Sequence, residues 1–92
     1  MAYYKGKLDG NRAYCSGRYG SCTVNVSEAN SDLMLVTGKY GKRYGVWMRQ
    51  TNSGAQGEKI FPRTAVRVTL DEKSMVHVWI RSLATRRKAK KK

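Results

Sequence analysis

The 92-residue chain is poor in the residues that build metal centres, and it has no long apolar run. It contains two cysteines, one histidine and one proline, and no stretch approaches the ~20 apolar residues of a membrane span. The two cysteines lie too far apart for a zinc-type pair, and the lone His77 cannot complete such a site. We therefore expect a soluble single domain with no metal, no cofactor and no membrane partner.

Acidic residues are also scarce. Six Asp and Glu face nineteen Lys and Arg, which gives a net charge of +13. The C-terminal run RRKAKKK, residues 86–92, holds six of these cations, and the first 85 residues still carry +7. Because the body is basic on its own, the charge predicts a nucleic-acid partner, DNA or RNA. We expect a cytoplasmic protein or one associated with a nucleoid or a ribonucleoprotein.

Helical periodicity is lacking, and turn-forming residues recur between short β-branched and aromatic segments. This pattern predicts an all-β fold, a small antiparallel barrel or sandwich of six to seven short strands. A long loop is expected over TNSGAQGEK, residues 51–59, and a two-residue hairpin turn at Gly41-Lys42, with Tyr40 and Tyr44 close across its strands. We expect a β-rich domain over residues 1–83 and a disordered basic tail over residues 84–92.

The two cysteines bracket a glycine-rich segment, CSGRYGSC. A turn over Gly17–Gly20 would place Cys15 and Cys22 opposite each other on a hairpin, where a disulfide fits. The alternative, which we favour, is a pair of half-buried thiols in a reducing cytosol.

Alternation along the predicted strands separates an apolar face from a basic and aromatic face. In RYGVWMRQ, residues 43–50, Tyr44, Val46 and Met48 share the apolar side. The opposite sides of this and three other strands repeat cations with aromatic residues. Their members are Lys5, Lys7, Arg43, Trp47, Arg49, Arg67, His77, Trp79 and Arg81.

A face of this composition suits single-stranded nucleic acid, because aromatic rings stack on bases while Lys and Arg meet phosphates. We expect Lys39, Lys42 and Arg43 to hold the phosphate backbone at the hairpin. The tail would add a flexible electrostatic arm made of Arg86, Arg87, Lys88, Lys90, Lys91 and Lys92. The alternatives are that each tryptophan fills a second apolar layer under covering arginines, and that the cations merely solvate the surface.

No hydrolase, metalloprotease or P-loop motif occurs. His77 with Glu58 or Asp71 and Arg81 could form a ribonuclease-like set, but no spacing favours it, and we expect no enzymatic activity. The short strands, glycine turns and basic-aromatic faces together resemble small β-barrel nucleic-acid binders in general, such as OB-like or SH3-like barrels.

We therefore expect a non-enzymatic nucleic-acid-binding protein, with single-stranded DNA or RNA as its ligand. One alternative is a structural protein of a ribonucleoprotein or virion. The other is a secreted, disulfide-bearing β-sandwich that acts on a host protein or membrane.

Overall fold

The computed structural model describes residues 2–38 and 41–83. Within these ranges the chain forms nine strands: β1 Ala2–Asp9, β2 Arg12–Gly17, β3 Gly20–Val26, β4 Leu33–Thr37, β5 Arg43–Trp47, β6 Arg49–Thr51, β7 Gly54–Phe61, β8 Thr64–Asp71 and β9 Met75–Ser82. No helix in the described part of the chain is long and apolar enough to cross a membrane. The predicted tail, residues 84–92, lies outside the described residues.

All nine strands belong to one antiparallel sheet in the order β5-β4-β3-β2-β1-β9-β8-β7-β6, which curls into a nearly closed barrel. Neighbours in the sheet are also neighbours in the chain, except β1 and β9, which pair from Ala2↔Ile80 to Lys7↔Met75. The expected all-β class is confirmed, and the fold is a barrel rather than a sandwich. The expected count of six to seven strands is wrong.

The barrel closes through one bent stretch of chain. β5 pairs with β4 and β6 pairs with β7, yet only Met48 separates β5 from β6. The Met48 amide donates to the Asp32 carbonyl oxygen at 2.6 Å, which fixes the bend. Gly57 of β7 lies under it: a Cβ there would collide with the Trp47 carbonyl oxygen and lie 3.0 Å from Sδ of Met48. A glycine is needed at position 57 because the backbones approach this closely.

The predicted loop over residues 51–59 is wrong, because most of it belongs to β7. β7 pairs with β8 without interruption from Gly54↔Asp71 to Phe61↔Thr64. This segment has a low intrinsic β-propensity because it contains two glycines, Glu58 and Lys59. Pairing with β8 outweighs that low propensity.

The predicted turn at Gly41-Lys42 is also wrong. The Gly41 amide donates to the Gly38 carbonyl oxygen at 3.0 Å, so the turn closes between Gly38 and Gly41. Gly41 has the positive φ that was expected there, 76°. Tyr44 lies opposite Val36 rather than Tyr40. Lys39 and Tyr40 lie outside the described residues.

The interior follows the predicted alternation. Tyr44, Val46 and Met48 are buried, and seven valines are completely inaccessible: Val24, Val36, Val46, Val66, Val68, Val76 and Val78. Each fully buried valine contributes roughly 1.5–3 kcal/mol, so this lining is the main stabilising feature of the barrel.

Two thiols complete one part of the core. Cys15 and Cys22 lie directly opposite each other on β2 and β3, as the predicted hairpin requires. They are free, and both are buried rather than half-buried. The Cys22 thiol donates a hydrogen bond to the Cys15 sulfur, and this bond, followed by burial, raises the pKa of Cys22. The same bond lowers the pKa of Cys15. At Cys22, both effects disfavour the thiolate that metal binding or disulfide exchange requires.

Candidate nucleic-acid interface

Three outward side chains on β1 and β9 form an aromatic row, defined here as Tyr3, His77 and Trp79. Tyr3 lies directly across from Trp79 in the β1–β9 ladder, and their ring centroids are 5.2 Å apart. The His77 ring stacks against both neighbours, each with a centroid distance of 6.0 Å. On the other side, the guanidinium carbon of Arg67 on β8 lies 5.4 Å from the Trp79 ring centroid. Arg67 and Tyr3 thus flank Trp79, which is half-buried.

Hydrogen bonds fix the orientation of His77 within the row. Its Nδ1 lies 2.6 Å from the Tyr3 hydroxyl, and its Nε2 lies 3.5 Å from Oδ2 of Asp71. Oδ1 of Asp71 accepts the amides of Met75 and Lys73, at 3.0 and 2.9 Å. The Met75 amide, then the Lys73 amide and His77, lower the pKa of Asp71 below its ordinary value. Asp71 is therefore a charged anchor that orients the imidazole ring.

A groove of about 620 Å³ follows the barrel closure, and we call it the closure groove. Trp47 stands on β5 at one side, 57% exposed, and Arg67 stands on β8 at the other. Gln56 and Glu58 on β7 present polar groups between them. This arrangement offers a flat apolar surface, a flat cation and hydrogen-bonding groups to one ligand.

A smaller depression of about 140 Å³ continues from the closure groove past Arg67. Trp79 and Arg81 line it, with Glu58 on the groove side. Ala65 lies opposite Arg81 in the β8–β9 ladder and is only 5% exposed. The depression joins the closure groove to the aromatic row, so the two form one surface.

The cations of this surface are not neutralised by carboxylates. Between residues of the two described ranges, no Lys or Arg nitrogen lies within 4.0 Å of a carboxylate oxygen, and the contact found within that distance joins the His77 imidazole to Asp71. Several cations lie over aromatic rings instead, at 5.4–6.0 Å from the centroid: Arg12 over Tyr14, Arg18 over Tyr19, Lys42 over Tyr44 and Arg67 over Trp79. Such contacts leave the positive charge available to an incoming anion.

The predicted site residues fall into three groups. Around the closure groove and the aromatic row, the barrel brings together Trp47, Arg49, Arg67, His77, Trp79 and Arg81, with Lys5 directly opposite His77 and Lys7 opposite Met75. Lys42 and Arg43 are exposed at the far end of β5, and Arg43 lies four residues, about 13 Å, from Trp47. Lys39 and the tail residues Arg86, Arg87, Lys88, Lys90, Lys91 and Lys92 lie outside the described residues.

Sequence reasoning missed several members of this surface. Tyr3 alternates with lysines but acquires its role only through the pairing of β1 with β9. Gln56 and Glu58 were assigned to a loop. Away from this surface, on β2 and its turn, a second set of exposed side chains repeats the cation and aromatic theme but lines neither the closure groove nor the depression beyond it: Arg12, Tyr14, Arg18 and Tyr19. Their R-x-Y and R-Y spacings in the sequence could have indicated these cation and aromatic pairs.

The described residues contain no group of three or more His, Cys, Asp or Glu side chains that could hold a metal ion. Of the ribonuclease-like set, the fold joins His77 to Asp71 and sets Glu58 and Arg81 around the depression beyond Arg67. Both His77 nitrogens face a protein partner, which suits a positioning role better than proton transfer. Comparisons with protein families, with curated proteins and with solved structures find no match for this chain.

Proposed function

We propose that this protein is a non-enzymatic nucleic-acid-binding protein whose closure groove takes single-stranded DNA or RNA. The observation that carries this proposal is that outward cations lie over aromatic rings and have no carboxylate partner in the described part of the chain. A surface selected only for solubility gains little from exposed indole and guanidinium groups. A polyanion that also carries flat bases uses both.

The groove geometry suggests a role for each side chain. Trp47 has the exposed ring on which a base can stack. Arg67 offers its guanidinium plane as a second stacking surface, and Trp79 with Tyr3 behind it holds that plane in position. Arg49 and Arg81, with Lys5, would meet phosphates on either side of the stacked base.

The remaining features of the proposal extend this core. The tail would add sequence-independent attraction to phosphates, because its six cations raise the net charge from +7 on the first 85 residues to +13. An OB-like or SH3-like type for the barrel remains part of the proposal, because such small barrels bind oligonucleotides on an outer sheet face. A location with nucleic acid, in the cytoplasm, a nucleoid or a ribonucleoprotein, follows from the same chemistry.

A salt series tests the proposal. The full chain is titrated into fluorescein-labelled single-stranded DNA, single-stranded RNA and duplex DNA at several salt concentrations, and anisotropy gives Kd. We expect tighter binding to a single strand than to the duplex, and a linear fall of log affinity with log salt. Changing Lys5, Arg49 and Arg81 together to Gln should reduce the slope by about 2, at about 0.7 per lost phosphate contact.

A second triple variant provides the matched control. Lys59, Arg63 and Lys73 are exposed and do not line the closure groove, and changing them to Gln removes the same charge. If both triple variants lose affinity and slope equally, only net charge matters and the groove is not a site. If the parent binds no nucleic acid at 50 mM salt, the proposed function is wrong.

A further inference from the structure

Glu58 occupies an unexpected position for a carboxylate. It is exposed on β7 and is the one acidic residue among those lining the closure groove. It lies directly opposite Arg67 in the β7–β8 ladder, where an ion pair would be expected. No such pair within 4.0 Å exists between these two described residues, and the Arg67 guanidinium lies over Trp79 instead. The carboxylate therefore faces the groove as an open hydrogen-bond acceptor.

A carboxylate in this position repels phosphate, so it weakens the purely electrostatic part of binding. Toward a nucleic acid it can act only as a hydrogen-bond acceptor, because an ionised carboxylate has no proton to donate, and a base stacked in the groove presents its donors along its edge. Cytosine and adenine carry an exocyclic amino group that can donate, whereas uracil and thymine carry a carbonyl oxygen at the corresponding position. At this exocyclic position a carboxylate accepts a hydrogen bond from the amino group, whereas it meets the lone pairs of the carbonyl oxygen unfavourably.

We propose that Glu58 is the specificity-determining residue of the closure groove. It accepts a hydrogen bond from the exocyclic amino group of a base held between Trp47 and Arg67. Gln56, two residues earlier on the same face of β7, adds an amide that can donate and accept at the same edge. The groove thus selects bases that carry this amino group. Among pyrimidines it prefers cytosine to uracil. This inference rests on the proposed function.

The test compares two pyrimidine oligonucleotides that differ only at the base edge. The full chain is titrated into labelled dC15 and dU15 at pH 7.5 and fixed salt. We expect the parent to bind dC15 about 5-fold more tightly than dU15 or better. In the variant Glu58→Gln the new amide can donate to the uracil carbonyl. The preference should then fall below about 2-fold, mainly through tighter binding of dU15.

Glu28→Gln is the matched control, because Glu28 is exposed in the loop between β3 and β4 and the change removes the same charge. It should tighten both complexes equally and keep the preference. Equal affinity of the parent for dC15 and dU15 would overturn the inference and leave the proposed function standing. An unchanged preference of Glu58→Gln for dC15 over dU15 would also overturn the inference and leave the proposed function standing. If the parent binds neither oligonucleotide, the proposed function fails first. Thermal melts of both variants should match the parent, since both side chains are exposed.

Discussion

Replacing Trp47 by alanine should weaken nucleic-acid binding without unfolding the barrel. The side chain is 57% exposed, so about two-fifths of its surface is covered. For a tryptophan of ~250 Å² this is ~100 Å², worth at most ~2.5 kcal/mol at ~25 cal/mol per Å². A domain of this size has an unfolding free energy of roughly 5–10 kcal/mol. The variant should therefore remain more than about 95% folded at 25 °C.

The expected loss of affinity comes from stacking. A base that loses its aromatic platform loses roughly 1–3 kcal/mol, which raises Kd by about 5- to 150-fold. The salt slope should hardly change, because Trp47 carries no charge and no phosphate contact is removed. Loss of affinity at constant slope distinguishes stacking from a change in electrostatics.

Anisotropy with a labelled single-stranded 15-mer measures both quantities, and circular dichroism at the same temperature confirms the fold. Trp47→Phe should recover most of the affinity. Tyr14→Ala is the control, because Tyr14 is 71% exposed on β2, three strand spacings or about 14 Å from β5. The variant Trp79→Phe leaves Trp47 as the one tryptophan of the chain, and its fluorescence should be quenched when the oligonucleotide binds.

Two results would refute this reasoning. If the Kd of Trp47→Ala lies within about twofold of the Kd of a parent that binds well, Trp47 does not stack on a base. Tyr14→Ala could lose as much affinity as Trp47→Ala, which would move the site or spread it over the whole surface.

Four further predictions rest on the sequence and on the described part of the structure. Deleting residues 86–92 should weaken binding and flatten its salt dependence while leaving the melting temperature nearly unchanged; a large drop in melting temperature would mean that the segment is packed. Changing Lys39, Lys42 and Arg43 to Ser should reduce affinity for all sequences about equally in a competition assay, and more than the Lys59, Arg63 and Lys73 to Ser control does. Gly57→Ala should lower the urea midpoint strongly because its Cβ collides with Trp47, whereas Gly38→Ala, whose Cβ would meet atoms no closer than 3.8 Å, should not; equal midpoints would contradict the tight closure. The lowered pKa of Asp71 means that its stabilising contribution is present above its ordinary value of 3.8 and is lost as pH falls through the folded value, so melting temperature in acid should fall more steeply for the parent than for Asp71→Asn.

The sequence was informative wherever a strand alternates. It placed Tyr44 inside and Trp47 outside correctly, because period-2 alternation is a direct consequence of strand geometry. It also placed Cys15 opposite Cys22, because a short hairpin leaves one register for its strands. These successes concern faces and local pairs.

The sequence was not informative where distant strands decide the structure. β7 has the composition of a loop and becomes a strand only because β8 pairs with it. The alternation runs unbroken through Met48, so the sequence pattern does not show the bend there. The bend depends on the hydrogen bond from the Met48 amide to the Asp32 carbonyl oxygen and on the space left by Gly57. Tyr3 joins Trp79 only through the ladder between β1 and β9. Glu58 and Tyr3 could therefore not be assigned to the site from sequence alone.

The bend at Met48 divides the barrel into two meanders, β1–β5 and β6–β9, which are joined by that bend and by the β1–β9 ladder. Trp47 belongs to the first meander and Arg67 to the second, so a base bound between them, as proposed, would connect the two meanders across the barrel closure. At a ligand concentration of 100 times Kd, linkage would stabilise the closed barrel by about 2.7 kcal/mol. That gain should be seen first as slower amide hydrogen exchange around Met48 and Gly57, where the two meanders meet.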